Sequence, residues 1–175
     1  MEQVILVNEQ DVQTGVMEKM EAHIKGELHR AFSIFIFNNK NEMLLQQRAA
    51  NKYHSAGLWT NACCSHPKPG ETIDAAANRR LKEELGFETV LDKAFDFTYR
   101  ASFDNGLTEH EFDHVFTGIY AGEININKSE VQNVCFRSME EIESNLHTHP
   151  YNFTAWFSLA FPLIKKWRNT TATVA

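Results

Sequence analysis

The chain has little of several things that would mark other kinds of protein. Its longest nearly apolar run, Ala31 to Phe37, falls far short of the about 20 residues that a helical membrane span needs. It carries no excess of positive charge. Lys and Arg number 17 against 23 Asp and Glu, a net charge of −6, which excludes a general nucleic-acid surface but not a local cradle for a small anion. Cysteine is scarce and odd in number, three residues with Cys63 and Cys64 adjacent, so a disulfide framework is not expected and a reducing, cytoplasmic compartment is. Met1-Glu2-Gln3 ahead of Val4–Val7 lacks the basic-then-apolar pattern of a secretory leader. There is no internal repeat and no low-complexity tract. What remains is an ordinary globular composition, 43% hydrophobic over 175 residues, enough for the core of one domain.

The hydrophobic periodicity predicts an α+β domain. Val4–Val7 and Thr14–Met17 flank Asn8-Glu-Gln-Asp11, the pattern of a hairpin. A polar segment holding Lys19, His23 and His29 leads to the apolar run Ala31–Phe37. Met43–Gln47 follows after the turn-forming Asn38–Asn41, which predicts a central strand paired with its sequence neighbour. Arg48 ends that second strand and Lys52 lies in the loop beyond. From Glu71 to Leu85 the residues Ile73, Ala76, Ala77, Leu81 and Leu85 recur at helical steps, and Gly86 is placed to stop the helix. Strands are predicted over Ala94–Ala101, Thr108–Tyr120 and Val131–Arg137. Ser138-Met-Glu-Glu141 reads as a capping box, and Phe153–Trp167 as an aromatic helix kinked at Pro162. The expected architecture is one domain, residues 1–168, of mixed sheets packed between helices, with 169–175 a frayed tail.

The chemistry gathers around Trp59-Thr-Asn-Ala-Cys-Cys-Ser-His-Pro67. Cys64, beside His66 and near basic groups, has the setting of a thiol with a lowered pKa; its bland reading is a small buried hydrophobe. In extended backbone Cys63 points the other way, so one of the two faces a site. Further on, period-two geometry puts Glu109, Glu111 and Asp113 on one strand face. Carboxylates so placed repel unless a cation sits among them or solvent screens them. His23, His29 and His66 with Glu109 and Glu111 make a donor set suited to Zn²⁺ or Mn²⁺, although each histidine alone reads as structural. Lys19, Arg48, Lys52 and Arg80 lie on separate elements, as in a diphosphate cradle or on any surface. Arg79 with Glu83, and Arg80 with Glu84, are four apart and share helix faces.

Residues 65–87 resemble a Nudix box, with Glu71, Arg79, Leu81, Glu83, Glu84, Gly86 and Phe87 at its spacing. Two positions depart from it: Ser65 stands for the first glycine, and Arg80 for the glutamate of Arg-Glu. Replacing a metal-binding acid by a cation should weaken diphosphate hydrolysis and keep diphosphate binding. The altered box, together with Cys-Cys-Ser-His66, Tyr99-Arg100, Glu109-His-Glu111 and Pro150-Tyr-Asn-Phe-Thr-Ala-Trp156, is similar to the type I isopentenyl-diphosphate Δ-isomerases over nearly the whole chain. That resemblance implies a metal-dependent transposition of a carbon–carbon double bond. It implies Cys64 and Glu111 as the proton-transferring pair, Tyr99 on the glutamate side, and Trp156 facing a carbocation. It further implies a Zn²⁺ or Mn²⁺ site at His23, His29, His66, Glu109 and Glu111. A Mg²⁺ would sit on Glu84 and the substrate diphosphate, and the phosphates on Lys19, Arg48, Lys52, Ser65 and Arg80. The partner is then a small prenyl diphosphate, with no nucleic acid or membrane, and the chain a monomer. The rival readings are a Nudix diphosphohydrolase that kept its own chemistry and a non-catalytic binding module.

Overall fold

The computed structural model describes residues 2–52 and 54–172. Strand β3 (His29–Phe37) is the axis of the sheet. Its alternate residues are buried on both faces: Phe32, Ile34 and Ile36 enter one core, Phe35 and Phe37 the other. A strand buried on both sides reads as a continuous apolar run, and this one does.

The hairpin is present as β1 (Gln3–Val7) and β2 (Gln13–Glu18), with Val4 opposite Met17 and Leu6 opposite Gly15. The polar segment after it is a short helix, α1 (Lys19–Lys25), capped by the Glu18 carboxylate accepting from the Glu21 N–H and closed by Gly26. Seven residues are too few for a helical period to show in the sequence, which is why this helix was not expected. The expected pairing of β3 with β4 (Met43–Arg48) is reduced to the single pair Phe37–Met43. One whole edge of β3 instead carries β8 (Thr108–Ile119) in parallel, from His29–Glu111 to Phe37–Ile119. Two three-residue strands absent from the sequence reading, β5 (Trp59–Asn61) and β6 (Cys63–Ser65), pair with β4 and β3 respectively. β7 (Leu91–Ser102) lies antiparallel on β8, and β9 (Val131–Arg137) on β4.

Helix α2 (Ile73–Leu85) starts at the Thr72 cap, two residues later than expected, and covers one face through Ala76, Ala77, Leu81 and Leu85. Helix α3 (Met139–Thr148) opens on the predicted capping box, Ser138 and Glu141 each bonding the other's backbone N–H. Helix α4 (Ala155–Ala172) contains Pro162 and lays Trp156, Phe157 and Phe161 on the opposite face. It also runs through residues 169–172, where fraying was expected. The Thr170 and Thr171 hydroxyls donate to the carbonyls of Lys166, Trp167 and Arg168, so side chains satisfy the last turns. Residues 173–175 of that expected tail lie outside the described residues.

Gly86 closes α2 with φ at +74°, and a Cβ there would come within 2.5 Å of the Asn125 carbonyl oxygen. Gly86→Ala therefore combines left-handed strain with a backbone clash. It is expected to cost about 2 kcal/mol or more, lowering Tm by about 4–8 °C in a thermal melt. An unchanged Tm would mean that the turn relaxes freely.

Candidate active site and metal centre

A cavity of about 600 Å³ opens between α1, the loop after β4, the end of β6 and α2. All five residues expected around a diphosphate line it, Lys19, Arg48, Lys52, Ser65 and Arg80, and so do Cys64, Glu84, Tyr99, Glu111 and Trp156. Elements distant in sequence meet here because β6 and β8 flank β3 on its two edges. Ser33 pairs with Cys64 on one side and Val115 on the other.

The histidines are held ring by ring. His23 Nδ1 lies 2.7 Å from the Lys19 carbonyl and His29 Nδ1 lies 2.8 Å from that of Glu27. A carbonyl only accepts, so each Nδ1 carries a proton and each Nε2 is the nitrogen turned inward. His66 Nε2 is 3.0 Å from Glu111 Oε1, and His29 Nε2 is 3.5 Å from the same oxygen. His29 Nε2 and His66 Nδ1 are buried without a hydrogen-bond partner. Donor atoms of His23, His29, His66 and Glu111 all lie within 4.8 Å of one another. Convergent imidazoles with an unsatisfied nitrogen and a carboxylate fit one borderline divalent ion, Zn²⁺ or Mn²⁺. Glu109, also expected at this centre, falls in a second group that shares His23 and adds His54, its Oε1 lying 3.4 Å from His54 Nε2.

Tyr99 ties the two glutamates together. Its hydroxyl donates to Glu111 at 2.7 Å and lies 3.2 Å from Glu109. Burial pushes Glu109 well above the ordinary carboxylate range, helped by the charge of Glu111. Burial works against ionised Glu111 too, but the contacts from His29 and His66 outweigh it and hold this carboxyl well below its usual value. Burial also draws His66 down to about 4 and His54 to about 3, so both rings are neutral at pH 7 and available as ligands.

Cys64 does not have the lowered pKa expected from its neighbours. Burial pushes its thiol up, with the charge of Asp113 adding to the effect. Two of the cations that line the cavity are engaged by carboxylates. Arg80 is tied to Glu83, Glu84 and Glu130, and Lys52 to Glu130. The thiol donates instead to Asn61 Oδ1 at 3.0 Å, and Ser33 Oγ stands 3.4 Å away, itself donating to Asp113 at 2.7 Å. Asn61 is fixed by donating to the carbonyls of Ile34 and Cys63 and by accepting from Thr60. Cys63, as expected, turns into the core behind. Trp156 presents its ring to Arg48, whose guanidinium carbon is 5.1 Å from the ring centroid.

On α2, Arg79 makes a paired contact with Glu71 at 2.7 and 2.8 Å, and its link to Glu83 is the longer one. That fork holds the Glu71 carboxyl down to about 2. Arg80, standing where the Nudix pattern has an acid, contacts Glu84 at 2.6 Å. Gln46 donates to the other oxygen of Glu84 at 3.1 Å. A cation therefore sits within the acidic cluster, which changes its charge by two relative to a glutamate.

The NUDIX domain family matches residues 27–157. Among solved structures, a Deinococcus radiodurans protein superposes with a TM-score of 0.77 at 15% identity, covering 92% of this chain and 98% of its own. A MutT protein of Methanosarcina mazei superposes with a TM-score of 0.66 at 21% identity, covering 82% of this chain and 95% of its own. At such identities these neighbours establish the fold. Sequence relatives go further. The isopentenyl-diphosphate Delta-isomerase of Pectobacterium atrosepticum is 52% identical over 162 residues, 93% of this chain and 90% of that protein. An isopentenyl-diphosphate Delta-isomerase 2 of Aromatoleum aromaticum is 47% identical over 157 residues, 90% and 83% of the two chains. The chain belongs to the isopentenyl-diphosphate Delta-isomerase family. This isomerase family is one of enzymes built on the Nudix fold.

Four residues of this isomerase-family site escaped the sequence reading: Ser33, Asn61, His54 and Gln46. Ser33 lies within a strand and reaches the thiol only through the pairing of β3 with β6, so no local pattern signals it; Asn61, three residues before Cys64, lies within the Trp59–Pro67 stretch and did have a local signal. His54 left one signal, a polar ring next to Ser55 in the loop that also carries Lys52.

Proposed function

We propose that this chain interconverts isopentenyl diphosphate and dimethylallyl diphosphate by moving the double bond through two proton transfers. The observation that carries the reading is the pair Cys64 and Glu111, borne on strands at opposite edges of β3 and lining one cavity. Their opposite tendencies, thiol up and carboxyl down, leave one protonated and one ionised at neutral pH. A 1,3-proton shift requires that complementarity. One member of the pair protonates C4 of the alkene, giving a tertiary cation at C3; the other takes a proton from C2, and the new double bond forms between C2 and C3. Tyr99, held on Glu111, keeps that carboxylate oriented, and the face of Trp156 stabilises the cation without offering it a nucleophile.

Lys19, Arg48, Lys52, Ser65 and Arg80, which line the cavity, would bind the diphosphate, and Glu84 would hold a Mg²⁺ that offsets its charge. His23, His29, His66, Glu109 and Glu111 would hold a Zn²⁺ or Mn²⁺, which would supply a fixed positive charge at the reacting carboxylate. Free cysteines fit a reducing cytoplasmic setting, and we take the chain to act as a monomer.

Proton and phosphorus NMR with isopentenyl diphosphate and Mg²⁺ in D₂O tests the reaction. Dimethylallyl signals, deuterium in the product and an intact diphosphate are expected, all lost on treatment with a strong chelator. Inorganic phosphate without movement of the double bond would identify a hydrolase, and no turnover would identify a binding module.

A further inference from the structure

The five-donor ion centre proposed above leaves one imidazole of the cavity without a role. His54 lies in the loop joining β4 to β5, flanked by the exposed residues Asn51 and Ala56, yet it is only 8% exposed. The loop turns this one ring inward. Ser55 immediately after it has φ at +51°, a conformation a serine rarely adopts, and it sets the direction of the turn. The ring is also held edge and face, stacked on Phe103 at 5.0 Å between centroids and edge-on to Trp156 at 5.8 Å.

We infer that His54 is a ligand of the same divalent ion as His23, His29 and His66, a fourth imidazole in the centre. Three observations carry this. Donor atoms of His23, His54 and Glu109 lie within 4.8 Å of one another, the same closeness that groups His23, His29, His66 and Glu111. The two groups share His23, whose Nδ1 is committed to the Lys19 carbonyl, so its one inward lone pair is Nε2. One lone pair serves one ion, so the two groups describe a single centre rather than two. Finally, His54 Nδ1 faces Ser55 Oγ at 3.3 Å, which leaves Nε2 as the inward nitrogen, as in His23 and His29.

A hydrogen bond to Glu109 is the plainer role for this ring. The 3.4 Å between His54 Nε2 and Glu109 Oε1 is long for it, since charge-assisted N–H···O bonds close to about 2.7–2.9 Å. Two acceptors facing each other across a shared cation have that longer separation. With four nitrogens and two carboxylates, the centre favours Zn²⁺ or Co²⁺ over Mn²⁺ more strongly than a three-imidazole set would.

The deciding experiment is a crystal structure of the full chain loaded with ZnCl₂, with competition titrations of Zn²⁺ on the parent and on His54→Gln. The inference rests on the ion centre of the proposed function, but these readouts are independent of turnover. A His54 Nε2–Zn distance of about 2.0–2.1 Å is expected. So is a loss of Zn²⁺ affinity of about 10-fold or more in His54→Gln, whose amide can still donate to Glu109 but replaces the imidazole. If Zn²⁺ sits on the other donors with His54 more than about 3 Å away, or if glutamine restores parental affinity, this inference falls and the isomerase centre stands. If Zn²⁺ binds elsewhere, both fall.

Discussion

Cys64→Ala is expected to lower kcat for double-bond transposition by about 10³-fold or more, because a single positioned proton carrier contributes about 10²–10⁴-fold and alkenes offer no alternative handle. The loss corresponds to about 4 kcal/mol of transition-state stabilisation. The fold should tolerate the change, since Cys64 is only partly buried and its partners Asn61 and Ser33 keep bonds of their own, to Ile34 and Cys63 and to Asp113. The useful comparison is therefore turnover against substrate affinity. The diphosphate contacts lie elsewhere in the cavity, so KM should move little while kcat collapses. Cys64→Ser is the finer control. Its hydroxyl can occupy the same hydrogen bonds but ionises far less readily, and it should rescue little. An alanine variant within tenfold of parental kcat would remove Cys64 from the chemistry.

Glu111→Gln should be at least as severe, about 10⁴-fold, for two reasons that can be separated. The amide keeps the shape and still accepts from Tyr99, but it cannot carry a proton. It also withdraws the charge that faces both His29 and His66. Metal content after dialysis should fall along with activity, since loss of a carboxylate ligand exceeds the 10–100-fold typical of its supporting partners. Saturating the variant with Zn²⁺ or Mn²⁺ then restores the ion without restoring turnover. Recovery of turnover under those conditions would make Glu111 a ligand only, and the second proton carrier would have to be found among Glu109 and Tyr99.

Much of this was legible in the sequence wherever the signal was local. The β1–β2 hairpin, the stripe of α2 and its Gly86 stop, and the Ser138 capping box each rest on neighbours within a few residues, and each is present. The face of β8 was legible too, because alternation along one strand fixes which carboxylates stand together. What failed was either too short to be periodic, as with α1, β5 and β6, or set by distant partners. The exchange of β4 for β8 beside β3 belongs to the second kind. So does the Cys64 thiol: its neighbours suggested a lowered pKa, whereas burial and the charge of Asp113, brought close by packing, reverse the sign. Residue types announced the chemistry, and the partner of each was decided by packing.

The parallel pairing of β3 with β8 also governs when the centre can come into being. His29 is the first residue of that pairing and Glu111 its partner across the ladder. Residues 38 to 107 must be looped out between the two strands for the pair to meet. Such a contact is entropically expensive to close and is made late, after the local hairpin and helices. An ion held at the proposed centre would act as a latch. It would bind tightly only to the completed chain and so would draw the folding equilibrium toward the native state.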